Sequence, residues 1–344
     1  MRIANFDIDT QVLIIAELSA NHGQDINIAK ETIKAAKEVG ADAIKLQTYT
    51  ADTLTIDCDN DYFKLNNGTI WDGNTLYSLY EKAYTPWEWQ KELKDFAESL
   101  GLICFSSPFD KTAVDFLEGL NVPAYKVASF EITDIPLIEY IASKGKPVIL
   151  STGMATLADI EEAVNTCRRV GNDQIILLKC TSSYPAKIED ANLRTIPNLK
   201  ETFGVEVGLS DHTLGITVPI VSVALGAKVI EKHFILDKSI GGPDASFSLD
   251  KEEFKQMVDA VREAEKSIGT VDYNLFEKKE KNKKFARSLF VVKDIKAGEI
   301  LNEDNVRSIR PGYGLHPRYY QQILGKKALR DIKKGTPIDW NHFE

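Results

Sequence analysis

The sequence predicts an α/β protein: a (β/α)8 barrel followed by a small β-rich module. Three observations lead there. Between Val12 and Phe234, eight short apolar runs alternate with stretches of helical periodicity, the pattern of consecutive βα units. The stretches IAKETIKAAKEVG, WQKELKDFAESLG, DIEEAVNTCRRVG and FKQMVDAVREAEKSIG place apolar residues three or four apart and end at Gly, as units passing from helix to strand require. Toward the C-terminus, DIKAGEIL at 294–301 recurs as DIKKGTPI at 331–338, a spacing of 37 residues with the Gly turn at the same place, which predicts a pseudo-symmetric module of short strands.

Taken in order, the strand runs are VLIIAEL at Glu17, AIKLQT with Lys45 and Gln47, LICFSSP at Ser107, and AYKVAS with Lys126 and Ser129. They continue as PVILST at Ser151, IILLKCT at Thr181, VEVGLSDH at His212 and VIEKHF at His233. A barrel works at the C-terminal ends of its strands, and these ends are polar. Ahead of the first strand, RIANF and the segment around Thr10 suit a short hairpin plugging the barrel bottom. Residues 50–84 interrupt the rhythm as a long insertion after the second strand, and loops of that length usually carry function. Leaving from a strand C-terminus, the insertion is expected over the barrel mouth. The charge run EKKEKNKK marks a solvated linker, so the expected division is 1–270 for the barrel, 271–284 for the linker and 285–344 for the small domain.

Composition narrows the function. Lys and Arg number 42 against 51 Asp and Glu, a net charge of −9, which disfavours nucleic acid as a partner. No apolar run is long enough to cross a membrane, and MRIANFDIDTQ lacks the basic flank and apolar core of a secretory signal. The four irregularly spaced cysteines, Cys58, Cys104, Cys167 and Cys180, read as reduced thiols of a cytoplasmic protein.

The strand ends suggest a chemistry. A lone His is most often a hydrogen-bonded core residue, but His212 and His233 end neighbouring strands and can face one divalent cation of the Mn2+, Fe2+, Co2+ or Zn2+ type. Lys45 and Lys126 sit in apolar runs; pointing inward they need anionic partners, and pointing outward they would snorkel past a helix. With Ser107, Ser129, Ser151, Thr181, Ser182 and Ser210 also at strand ends, a pocket for a phosphate and a carboxylate is the better account. Glu17 and Glu131 are candidate acid and base, the alternative being salt bridges to the two lysines. Tyr184 either reaches a phosphate or packs in the core. Asn21 and His22 either support the site or cap the first helix. In SIRPGYGLHP, Arg310 stands on a stiff loop suited to reaching outside its own domain, or else is a surface residue of an ordinary turn.

The motifs IIAELSANHGQ, AIKLQTYT, CFSSPFD, AYKVASFE, ILSTGM, KCTSSYP, VGLSDHTLG and VIEKHF, in this order, resemble the nonulosonic (sialic) acid synthase family. SLFVVKDIKAGE and RPGYGLHP resemble the antifreeze-like (SAF) domain that closes those enzymes. Within the family, WDGNTLYSLYEKAYTPWEW, EKHFILDKSI and DASFSLD look most like pseudaminic acid synthases, which join phosphoenolpyruvate to 2,4-diacetamido-2,4,6-trideoxy-altrose. Bacterial N-acetylneuraminate synthases typically carry Asn where this chain has Ser182; these and the legionaminate synthases are the neighbouring alternatives.

The resemblance implies a division of labour. His212 and His233 would hold a divalent metal, Mn2+ with Mg2+ or Co2+ as alternatives. Lys45, Lys126, Ser107, Ser129, Ser151, Ser182, Tyr184 and Ser210 would bind phosphoenolpyruvate. Gln47, Asn74 and Asp244 would meet the sugar, Glu131 would activate water, and Glu17 would contact the sugar or metal-bound water. Arg310 would come from the partner in a domain-swapped homodimer. An aldolase or metallohydrolase on the same barrel and a sugar- or ice-binding protein are the rivals; ice binding wants a flat regular surface, whereas the small domain carries charge throughout.

Overall fold

A computed structural model of the chain describes every residue except Asn67, in the expected insertion, and Asn274 and Leu275, in the expected linker, which lie outside the described residues. The chain divides into two compact units, Met1–Gly269 and Thr270–Glu344. The first begins with an antiparallel hairpin of β1 (Arg2–Ile3) and β2 (Phe6–Asp7), shorter than expected and ending before Thr10. Ile3 and Ile8 are fully buried in one cluster with Leu13, Val148, Ile175 and Val207, residues at or near the starts of barrel strands, so the hairpin closes the barrel bottom.

The barrel strands are β3 (Leu13–Glu17), β4 (Ala43–Thr48), β5 (Ile103–Pro108), β6 (Tyr125–Val127), β7 (Val148–Ser151), β8 (Ile175–Cys180), β9 (Glu206–Asp211) and β10 (Val229–His233). They pair in parallel in chain order and close where β10 meets β3, with His233 beside Glu17. Both faces of such strands are covered, which is why they read as nearly continuous apolar runs. The intervening helices are α1 (Ile26–Glu38), α2 (Ala51–Leu54), α3 (Leu76–Ala83), α4 (Trp87–Ser99), α5 (Lys111–Gly119), α6 (Ile135–Ala142), α7 (Leu157–Arg169), α8 (Thr195–Phe203), α9 (Thr217–Ala224) and α10 (Lys251–Ile268).

The insertion is more ordered than a long loop. Thr50 and Thr75 start α2 and α3 with reciprocal capping boxes, and the chain between them folds back on itself, Leu65 N–H donating to Asn74 O at 2.9 Å and Leu76 N–H to Phe63 O at 2.8 Å.

In the second unit, the stretch expected as linker contains α11 (Phe276–Lys281) and a turn at Lys283–Phe285. The Lys283 carbonyl accepts from Gly312 N–H at 2.8 Å, so this segment is tied into the small domain. Strand β11 (Ser288–Val291) pairs antiparallel with β12 (Val306–Ile309), and a short helix α12 (Tyr320–Ile323) follows. The sequence repeat is a structural two-fold. Ile295 and Ile332 exchange backbone hydrogen bonds of 2.9 and 2.8 Å. Lys296 reaches Asp331 at 2.8 Å while Lys333 reaches Asp294 at 3.0 Å. The core beneath is Leu289, Val291, Ile295, Leu301, Val306, Ile332 and Ile338.

Candidate active site

A cavity of about 560 Å3 opens at the strand C-termini. Every barrel strand except β5 lends it a side chain, among them Glu17, Lys45, Lys126, Ser151, Cys180, Ser210 and His233. Alternation along the strands explains the choice. Lys45 and Gln47 point inward together, as do Glu231 and His233, while Lys232 between them is buried against Asp211 and Thr213 and takes no part in the cavity.

The floor is a charge network. Lys45 Nζ lies 3.0 Å from both Glu17 Oε1 and Glu231 Oε1, and Lys126 Nζ lies 3.8 Å from Glu231 Oε1. Gln47 Nε2 donates to Glu17 at 2.9 Å, and Ser210 Oγ to Glu231 at 3.1 Å. Both lysines therefore point inward, and for Lys45 the salt-bridge reading of Glu17 holds as well. Burial alone would raise the Glu17 pKa, but Lys45, His233 and Gln47 outweigh it and hold the carboxylate ionised well below its ordinary range. Burial also opposes the Lys45 charge, yet Glu17 and Glu231 together raise its pKa. Lys126 is less well compensated: burial pulls its pKa down, Glu231 being too far to restore it, and its ammonium donates to Val127 O at 2.8 Å. Glu231 was missed in the sequence. Its signal was there, two residues before a His that faces the mouth.

Ser129 and Ser151 line the cavity with Lys126, whereas Ser182 does not line it and meets the site through Ser129. Ser129 and Ser182 Oγ atoms are 2.6 Å apart, and Ser151 Oγ is buried without a partner. A Cβ at Gly153 would come within 2.3 Å of Ser182 Oγ and 2.7 Å of Ser129 Oγ, so only glycine leaves room for this pair. Ser107 is not brought to the cavity lining; its hydroxyl is buried and unpartnered on β5. Burial pushes Glu131, whose Oε2 is shut in without a partner, up to about 7, with Lys126 pulling the other way.

His212 and His233 face each other with ring centroids 5.4 Å apart. The Thr181 carbonyl can only accept, so His212 Nδ1, 3.0 Å away, carries a hydrogen and leaves Nε2 as the ring atom for a ligand; burial opposes the charged ring, but Cys180, Thr181 O and Glu17 together raise its pKa. Burial lowers the His233 pKa and keeps it neutral; its Nδ1 is buried without a hydrogen-bond partner, 3.8 Å from Asp244. Among the described residues no group of three His, Cys, Asp or Glu side chains is placed to hold a metal ion. Two facing imidazoles, one with an orphaned ring nitrogen, fit an open site whose other positions fall to water or substrate oxygens. Cys180, expected as a core thiol, also lines the cavity, its Sγ 3.9 Å from His212 Nδ1.

The aromatic wall comes from three segments. Tyr184 lies against His212, Phe247 and Trp71, with centroid distances of 4.3, 5.1 and 5.4 Å. Trp71 belongs to the insertion, which thus reaches the mouth as expected. Asp244 lines the cavity and accepts from Ser19 Oγ at 2.5 Å. Asn74 does not line it: its side chain is spent within the insertion, donating to Trp71 O at 3.0 Å and accepting from Lys82 at 3.2 Å. Asn21 ties the first loop to Phe234 O at 3.0 Å and Ser248 at 2.8 Å, and His22 sits 3.2 Å from Thr85, so neither caps the first helix; that cap is Asp25.

Arg310, in the second unit, is exposed at the end of β12. Its loop is stiff, as the composition predicted: Ser288 Oγ donates to Pro311 O at 2.7 Å and accepts from Gly314 N–H at 2.8 Å. A Cβ at Gly314 would meet Leu289 O at 2.3 Å, so the approach needs glycine.

Comparison with known proteins places these features in a lineage. Residues 32–273 match the NeuB family and residues 286–344 match the SAF domain. Over 344 residues, all of both chains, the sequence is 52% identical to a pseudaminic acid synthase of Campylobacter jejuni. It is also 52% identical over 332 residues, 96% of this chain and 97% of the other, to the pseudaminic acid synthase of Helicobacter pylori. The solved spore coat polysaccharide biosynthesis protein SpsE of Bacillus subtilis shares 36% identity and a TM-score of 0.68, covering 100% of this chain and 99% of that one. Barrel, strand-end constellation and matched sequence agree: this chain belongs to the NeuB family of nonulosonic (sialic) acid synthases and carries a C-terminal SAF domain.

Proposed function

We propose that this chain condenses phosphoenolpyruvate with 2,4-diacetamido-2,4,6-trideoxy-β-L-altropyranose, in its open aldehyde form, to give pseudaminic acid and phosphate. The carrying observation is Lys126: a buried ammonium whose charge is under-compensated, facing a cavity that Ser129 and Ser151 also line. An anionic ligand there supplies the missing counter-charge, and a phosphate with a carboxylate suits two lysines ringed by hydroxyls. The choice of sugar follows the full-length 52% identity to relatives that carry the pseudaminic acid synthase name.

Lys45, Lys126 and the serines hold phosphoenolpyruvate with its enol carbon C3 toward the sugar aldehyde. The C2=C3 electron pair forms the new carbon–carbon bond, the aldehyde oxygen takes a proton from solvent water, and positive charge is left at C2. Water adds to C2 and loses one proton to Glu131; the resulting tetrahedral carbon then expels phosphate by C–O cleavage, the C2 hydroxyl passing its remaining proton to the departing phosphate as the ketone forms. Glu17, kept ionised, is a hydrogen-bond acceptor toward the sugar side. A divalent ion held by His212 and His233, Mn2+ or in its place Mg2+ or Co2+, would supply Lewis-acid polarisation of the aldehyde oxygen. Gln47 and Asp244 orient the sugar. Enzyme mixed with phosphoenolpyruvate and this sugar is expected to release phosphate, and to stop on adding EDTA. No release with any candidate sugar, even with Mn2+ supplied, sinks the reading, and a far better response to N-acetylmannosamine overturns the choice of sugar.

The working unit is a homodimer in which Arg310 of one subunit completes the other's barrel site. An exposed arginine on a pinned loop, with no ion-pair partner among the described residues, supports this assignment. Mixing an Arg310→Ala subunit with a Glu131→Gln subunit is expected to restore part of the activity that each lacks alone, because one mixed site has both intact parts. Absence of recovery in dimers shown to have exchanged subunits rejects the sharing of sites.

A further inference from the structure

The polar groups gather at the cavity floor, while its mouth is chemically different. The insertion brings Leu54, Leu65, Leu76 and Leu79 to the wall, each only half-buried. Two of the side-chain polar groups it brings there are already bonded. Thr69 Oγ1 donates to Asp72 at 2.9 Å, and Trp71 Nε1 donates to Pro243 O at 3.0 Å. The Tyr80 phenol remains. Leucines left half-exposed inside a concave site are stabilised when apolar surface displaces the water against them.

We propose that this leucine wall is the subsite for the end of the sugar farthest from its aldehyde, and that it selects a methyl there over a hydroxymethyl. The inference rests on the condensation described above. The enol carbon must meet the aldehyde carbon, and phosphoenolpyruvate is tethered at the floor by Lys45 and Lys126. The aldehyde end of the sugar therefore points down, and its last carbon lies toward the mouth, where Leu54, Leu65, Leu76 and Leu79 form the wall. A methyl displaces water from the leucines. A hydroxymethyl in the same place would bury a hydroxyl with little besides the Tyr80 phenol to meet it. An apolar pocket discriminates at this level by about 10- to 100-fold.

The test compares kcat/KM for the trideoxy sugar and its 6-hydroxy counterpart, at saturating phosphoenolpyruvate, with phosphate release as the readout. Wild-type enzyme is expected to prefer the deoxy sugar by about 10- to 100-fold. In Leu65→Asn and in Leu79→Asn that preference is expected to fall about 10-fold, through a higher KM for the deoxy sugar and an unchanged KM for phosphoenolpyruvate. Leu65→Met, which keeps the wall apolar, is expected to retain the preference. A preference unchanged in both Asn variants, an equal loss for both sugars, or a parallel rise in the KM for phosphoenolpyruvate overturns the proposal. So does a wild-type enzyme that turns over both sugars equally, although the condensation then stands. Wild-type enzyme that releases phosphate with neither sugar overturns both.

Discussion

Glu131→Gln is expected to lower kcat by about 10²- to 10⁴-fold, the usual contribution of a positioned general base, with little change in the KM for phosphoenolpyruvate. The two carboxylates proposed for acid–base work are set apart by their surroundings. Glu17 is held ionised by Lys45, Gln47 and His233, whereas Glu131 is pushed by burial up to about 7. A group that changes protonation near neutrality can take a proton and return it; one clamped by an ammonium cannot do so readily. The sign of the pH dependence follows. Glu131 must be deprotonated to accept the proton from water, so activity rises with pH through about 7, and the acidic limb of the wild-type profile belongs to this carboxyl. Its replacement by Gln removes that limb as well as the rate. Retention of wild-type kcat, or of the acidic limb near 7, would reject Glu131 as the base.

His212→Ala and His233→Ala are each expected to abolish turnover and to lose the divalent metal that the proposed site is expected to retain in wild-type protein after gel filtration. The two imidazoles act as a pair: His212 presents Nε2 because its Nδ1 hydrogen is committed to Thr181 O, and His233 is kept neutral by burial. Removing either ring leaves one nitrogen donor, too few to hold a first-row ion where Cys180 is the adjacent soft ligand and Glu17 is already engaged by Lys45. Metal content by elemental analysis and the melting temperature with and without Mn2+ separate loss of the ion from loss of the fold. If either variant keeps its metal and most of its activity, the assignment fails.

Most of the barrel was legible because its signals are local. Strand runs, Gly stops and capping residues lie within a few positions of each other, and the DIKAGEIL and DIKKGTPI copies meet as a structural pair through Ile295 and Ile332. The insertion was recognised by its length, but its fold was not read, although Thr50 and Thr75 are ordinary helix starts. Within the site, the residues at strand ends were found by position. Glu231 escaped because it lies two residues inside its apolar run, and Cys180 because it reads as a core thiol. Asn74 was carried over by resemblance and spends its amide on its own loop, and Ser107 lies on the one strand that lends the cavity no side chain.

Sequence alone determined the fold class, the order of the strands, and the residue types available at the mouth, because hydrophobic periodicity dictates which faces are buried. Only the tertiary structure decided the partners. Lys45 is shared between Glu17 on β3 and Glu231 on β10, Trp71 reaches Tyr184 across more than a hundred intervening residues, and Ser129 meets Ser182 over Gly153. Such contacts arise when barrel closure gathers strand ends and loops remote in the chain at one mouth. Nothing in the local sequence encodes a distance between chain-remote side chains, and it is those distances that set the charge of each group.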